Sequence, residues 1–245
     1  MQSFIQSYWH PDVTPSPDAL IEVSDYRGAA DLSVICTQLA GTHTPAQQKR
    51  IVGEWCDFFS RPQPVRRLWI HSRTPQSLFE SLCAQSGLEA LYIKWSAIDD
   101  LSPMAGLKSI THLHIGSSSK IKSIDALAGL QTLVDLTLSN LQGVDDYAAV
   151  GPLTRLDRLC IEGDGIASMK KVKIASLRPI ANLTKLKRLK LTWVNVLDDS
   201  FACLSDLKSL KHLDLPRSWS GQDAKLLLEA LTELETGNVL STGKA

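Results

Sequence analysis

Several things are missing from this chain, and each absence removes a class of protein. No run approaches the roughly 18 apolar residues that span a bilayer. Met1 to His10 is mixed and aromatic, without the basic-then-apolar order of an export signal. The five cysteines, Cys36, Cys56, Cys83, Cys160 and Cys203, are scattered and form no C-x-x-C pair, which reads as reduced thiols in a cytoplasmic protein. No net charge remains when 26 basic residues are set against 26 acidic ones. A general nucleic-acid coat needs a positive field, so that reading is disfavoured. Gly163-Asp164-Gly165 is a turn without the remainder of a phosphate-binding loop. No Ser-His-Asp or Cys-His grouping has a motif behind it, so no catalytic residue is assigned.

What the chain does have is a repeat. Leu/Ile-x-x-Leu-x-Leu/Ile appears from Leu88, Ile110, Leu133, Leu156, Leu186 and Leu210, with a weaker copy from Val65. Successive starts lie 23, 22, 23, 23, 30 and 24 residues apart. Such a unit cannot bury its apolar edge alone, so neighbours must stack. Within it the second and third apolar positions alternate inward along a strand. The remainder steps its apolar residues by three, as in Ile98, Leu101, Met104 and Leu107, which suits short 3₁₀ pieces.

These repeats resemble leucine-rich repeats, and their 22- to 23-residue length is similar to the internalin-like class. Ile98 to Leu107 is close to that class's second half-repeat. The resemblance implies an α/β solenoid with a parallel sheet on the concave face, short 3₁₀ or helical returns on the convex face, and helical caps. That family usually places Asn eight residues after the first Leu. Here those positions hold Ser96, Ser118, Leu141, Asp164 and Val194. Asn140 and Asn195 sit one residue to either side, so the turn is expected to be re-registered.

The expected organisation is an N-terminal cap region over 1–64, about seven repeat strands over 65–217, and a capping helix and tail over 218–245. Pro11, Pro15 and Pro17 mark Asp12 to Asp18 as a loop, and Ala19 to Val23 has strand character. A helix is predicted over 45–59, with Thr44 and Gln47 forming a capping box around Pro45. A second is predicted over 75–86, capped by Thr74 and stopped by Gly87. Ala224, Leu227, Leu228, Leu231 and Leu234 share one face of a C-terminal helix. Residues 238–245 are expected to be loose.

Outward strand positions form columns. The N-terminal half collects Trp69, His71, Tyr92, Trp95, His112 and His114. The C-terminal half collects Arg158, Arg188, Lys190, Trp193, His212 and Arg217. Exposed aromatics and Arg are enriched where proteins bind one another, although some of these rings can instead pack against an N-terminal loop of the same chain. Four of the six histidines lie on this face, which allows a pH-sensitive interface. No metal site is expected, because His71 lies two strands from His114, near 10 Å. The paired acids Asp99-Asp100, Asp145-Asp146 and Asp198-Asp199 read as caps of the return turns.

Charge is segregated along the chain. Residues 165–220 hold 11 Lys or Arg and 4 Asp or Glu, a net of +7, and residues 1–60 hold 3 and 7, a net of −4. The fifth repeat is longer, and its extra stretch carries Lys170, Lys171 and Lys173. The expectation is a monomeric, cofactor-free, non-catalytic module that occupies a partner protein bearing an acidic patch, as an inhibitor, an immunity-type antidote or an adaptor. Two rivals stay open. One is nucleic-acid binding through the basic C-terminal half, and the other is an enzyme site in the N-terminal region.

Overall fold

Every repeat contributes one strand to the main sheet, and neighbouring strands there pair in parallel. The computed structural model describes residues 15–165 and 168–242. Its strands are β1 (Asp31–Val34), β2 (Arg67–Thr74), β3 (Ala90–Ser96), β4 (His112–Ile115), β5 (Asp135–Ser139), β6 (Arg158–Glu162), β7 (Val172–Ile174), β8 (Arg188–Thr192), β9 (Val194–Val196) and β10 (His212–Asp214). Eight of them form one parallel sheet in the order β1-β2-β3-β4-β5-β6-β8-β10, and β7 pairs with β9 in a separate two-stranded sheet. This is an α/β solenoid of stacked repeats, with one eight-stranded parallel sheet and short 3₁₀ or helical returns.

The repeat explains the register. Leu68, Leu91, Leu113, Leu136, Leu159, Leu189 and Leu213 align across neighbouring strands, each paired with the next. All are buried, because the alternation that points them inward is the same in every unit. The returns are short 3₁₀ turns at Ser102–Gly106, Asp125–Gly129, Ala148–Val150 and Ala202–Asp206. The lengthened fifth unit returns instead through a helical turn at Arg178–Ala181. The step-of-three residues Ile98, Leu101, Met104 and Leu107 are all buried against the strands.

The acid pairs divide their work. Asp100 accepts from the Ser102 N–H (2.8 Å), and Asp146 accepts from the Ala148 N–H (2.8 Å), each capping its own turn. Asp198 departs from expectation. Its carboxylate reaches back to the preceding unit and accepts from the Leu177 N–H (2.5 Å) and the Ser176 hydroxyl (3.2 Å). Asp223 repeats that backward reach, accepting from the Phe201 N–H at 2.7 Å.

The sheet starts before the repeat does. Its first strand is β1, so it has eight strands rather than seven, and the edge strand comes from the region read as cap. Ala19 to Val23 is not a strand. Leu20 makes a single bridge to Val34, and Val23–Asp25 is a 3₁₀ turn. The expected loop over Asp12 to Asp18 lies partly outside the described residues, as does the whole Met1 to His10 segment. Helix α1 (Pro45–Phe59) carries the full reciprocal capping box: the Gln47 N–H donates to Thr44 Oγ1 (3.3 Å) and the Thr44 N–H to Gln47 Oε1 (2.8 Å). Ile51, Trp55 and Phe59 are its buried face, and Trp55 Nε1 donates to the Ile21 carbonyl at 2.8 Å. Helix α2 (Gln76–Cys83) is shorter than predicted. Thr74 is not its cap but the buried last residue of β2, and Pro75 takes the cap position without a side-chain bond.

At the far end the predicted helix also stops early, at Ala224–Ala230, because Leu231 leaves helical geometry. The chain then does something the periodicity does not show. Thr236 bridges His212 in parallel. The Asn238 side chain accepts from the Leu215 N–H (2.9 Å) and donates to the Leu215 carbonyl (2.7 Å). A side-chain amide thus stands in for a ninth strand on the open edge. Gly237 permits the approach: its φ is +123°, and a Cβ there would lie 2.1 Å from the Leu213 carbonyl oxygen. Residues 238–242 are therefore not loose; Val239 is fully buried in a final helical turn, Val239–Thr242.

Candidate functional site: the outer face of the sheet

Outward-facing side chains follow the columns closely. Trp69 pairs in register with Tyr92, Tyr92 with His114, His114 with Thr137, Thr137 with Cys160, and Cys160 with Lys190. Adjacent strands lie ~4.8 Å apart, so neighbours in a column must touch. His71 and Tyr92 place their rings 6.0 Å apart, and Tyr92 and His114 4.5 Å apart.

That crowding corrects one expectation. Trp69 and Tyr92 are not open binding surface. Trp69 is 0% exposed and Tyr92 5%, and with Ala90 they form a small apolar cluster of their own, apart from the main core. His114 is 4% exposed and His212 5%, so these too are closed. Ser16 Oγ lies 3.2 Å from His71 Nε2, placing the start of the described chain on the same face. His71 and His112 are only half-buried. Burial depresses the His71 pKa below its usual value, reinforced by Lys94. His112 is also lowered: burial and Arg158 outweigh the opposing pull of Asp135 and Glu89.

The basic half is corrected in another way. Its cations are interleaved with acids rather than standing as a positive patch. Arg158 Nη1 is 3.3 Å from the buried Asp135, and Arg158 Nε is 3.8 Å from Asp157. Lys190 Nζ is 3.0 Å from Glu162, and His212 Nε2 is 3.1 Å from Asp214. Burial tends to raise the Glu162 pKa, yet the Lys190 ammonium overcomes this and holds it below the usual carboxylate value. Lys190 is reciprocally raised despite its own burial. Cys160, beside this pair, is buried, and burial with Glu162 pushes its thiol well above its ordinary pKa. A thiol so held is not a nucleophile at neutral pH. Arg188 is half-buried on the same face.

What stays open is the rim at the carboxyl ends of the strands. Trp95 is 41% exposed, with Lys94 Nζ 4.6 Å from its ring centroid. A shallow cavity of about 300 Å³ lies beside it, lined by Arg73, Trp95, Ser117 and Asn140. Asn140 turns the chain here at φ +55°, donates to Ser117 Oγ at 3.1 Å and accepts from Gln142 Nε2 at 2.6 Å. Asn195 is instead an exposed residue of β9. Trp193 occupies the corner equivalent to Asn140 at φ +53°, between cavities of about 410 and 510 Å³. Sequence columns missed Arg73, Lys171 and Asn140 as parts of this rim, because they lie in turns or at strand ends, outside the column positions.

Among the described residues no group of three or more His, Cys, Asp and Glu is placed to hold a metal ion. Nor is any described helix long and apolar enough to cross a membrane.

Comparison with known proteins follows the geometry. No family model matches the chain. No curated protein matches it either. Among solved structures it is similar to internalin C2 from Listeria monocytogenes, at 24% identity and TM-score 0.43, over 67% of this chain and 75% of that one. It is also similar to an internalin, InlF, from the same organism, at 17% identity and TM-score 0.48, over 84% of this chain and 60% of that one.

Proposed function

We propose that this chain is a non-catalytic protein-binding module, acting by occupying its partner as an inhibitor, immunity-type antidote or adaptor within the cytoplasm. The observation that carries the reading is Trp95. Among the described residues it is the one aromatic of the large apolar side chains left exposed, and it stands beside a cavity on a rigid strand. A large, stiff, amphipathic ring held on such a scaffold gives contact area at little entropic cost. Its surroundings are pre-organised, since Lys94 Nζ lies 4.6 Å from its ring centroid and Asn140 donates to Ser117 Oγ in the cavity wall before anything binds. On this reading Trp95, with the half-buried His71, His112 and Arg188, meets the partner, while Trp69, Tyr92 and His114 shape the ground beneath.

The test uses the whole chain as bait, with Trp95→Ala alongside it. A protein retained by the parent and released about tenfold faster by Trp95→Ala supports the reading, provided both melt alike. Equal retention by both, or turnover of a substrate by the isolated chain, contradicts it.

A further inference from the structure

The cavity on the β10 side of Trp193 has no role in the account so far. It is the larger of the two that flank this indole, about 510 Å³, and its wall includes Lys171, Thr192, Trp193, Asp214, Arg217 and Ser218. Its charge is net positive, with the two cations Lys171 and Arg217 against the single carboxylate of Asp214. Asp214 is held by His212 (3.1 Å) and accepts from the Asn238 N–H (2.9 Å). Lys171 and Arg217 are exposed and make no ion pair among the described residues. Lys173, in β7, is exposed as well. The apolar floor comes from Val194, Leu215 and Pro216.

Trp193 is held there against a conformational preference. A positive φ is rare for a bulky residue, and at the equivalent corner Asn140 makes the same turn with a side chain that suits it. The backbone is pinned by the Val172 N–H donating to the Trp193 carbonyl at 3.1 Å. The indole fits because position 165 is glycine; a Cβ there would sit 2.0 Å from Trp193 Nε1. A residue kept in an unfavoured conformation by its surroundings is a pointer to function when it also lines a cavity.

We infer that this cavity receives an extended acidic segment of a partner protein, seating one aromatic or branched apolar side chain against Trp193 while flanking carboxylates meet Lys171 and Arg217. The inference rests on the protein-binding reading and adds to it a second contact, with the chemistry of what it accepts. Cations fix the sign of the flanks, and the apolar floor with its indole wall fixes the nature of the seated side chain.

A random peptide library selected on the whole chain at neutral pH tests it. Enriched peptides should carry Asp or Glu on both sides of an aromatic or branched apolar residue. Their affinity should fall at least about tenfold in Lys171→Glu/Arg217→Glu and, separately, in Trp193→Asn, which suits the left-handed corner and keeps the melting temperature. Enriched peptides without acidic flanks, affinities unchanged by both variants, or no enrichment at all would overturn the assignment. So would a 20-nucleotide oligo-dT that binds through the same two cations, since the surface would then serve nucleic acid. Peptides or a captured protein that respond only to Trp95→Ala would leave the protein-binding reading standing and remove this cavity from it.

Discussion

The two halves of the sheet face are built on the same backbone and hold themselves together differently. From β2 to β4 the outward column is a stack of rings, His71, Tyr92 and His114, over the buried Trp69. From β5 to β8 it is a ladder of opposite charges, Asp135 with Arg158 and Glu162 with Lys190. Both solutions answer one constraint: strands ~4.8 Å apart force neighbouring side chains into contact, so each must suit the next. The lesson is that outward-facing does not mean available. In both halves the middle of the face is spent on its own neighbours, and the rings left accessible lie at the strand ends, Trp95 exposed and Trp193 half-buried.

The largest break in this comparison comes from beneath both halves. Leu136 and Leu159 are adjacent in register and buried. Either one changed to Ala should cost ~2–5 kcal/mol through lost burial and a cavity, measured by denaturant unfolding. Trp69→Ala should cost a comparable ~3–5 kcal/mol, although Trp69 faces away from the main core. A surface-like cost below about 0.5 kcal/mol would show that the ring stack is not a core of its own.

The charge ladder is weaker. Lys190→Met removes the partner of a Glu162 that is only 27% exposed. The expected loss is about 2 kcal/mol at neutral pH, between an exposed pair and a fully buried one. Its pH dependence has a definite sign. Glu162 titrates below its usual 4.5 in the fold, so the pair's contribution is present above that value and is lost as pH falls through the lower, folded value. In Lys190→Met that acid-side loss should shrink. An unchanged acid limb would mean that Lys190 does not set the Glu162 pKa.

The ring half should respond at higher pH. His71 and His112 both titrate below 6.5 in the folded chain. The unfolded chain therefore takes up protons first, and stability should decline as pH drops below about 6.5. His71→Gln/His112→Gln should flatten stability between pH 7 and 5, the smallest of these effects. A parent already flat over that window would contradict the assignment.

How far the sequence showed all this depends on which residues are asked. Leucine spacing made the solenoid, the inward columns and the step-of-three returns legible, because burial periodicity is set by the backbone alone. The Thr44 capping box was legible for the same reason: it is local. What could not be read was exposure. Trp69 and Trp95 are both outward aromatics in sequence, and only the tertiary arrangement closes one and leaves the other open. Strand β1 has no leucine motif to announce it, and the Asn238 edge cap works through a side chain that no periodicity marks. Charge segregation misled in a similar way. The +7 of residues 165–220 is a sum along the chain, while Asp157 and Glu162, which pair with Lys187 and Lys190, come from the unit before.

The central claim is that the partner meets the exposed Trp95 at the open rim and not the closed rings of Trp69 and Tyr92. Hydroxyl-radical footprinting of the chain, free and with its captured partner bound, tests this most directly. The account predicts fast oxidation of Trp95 in the free chain, little at Trp69 or Tyr92, and protection of Trp95 on binding. Rapid oxidation of Trp69 and Tyr92 in the free chain, with their protection by the partner while Trp95 stays reactive, would contradict it.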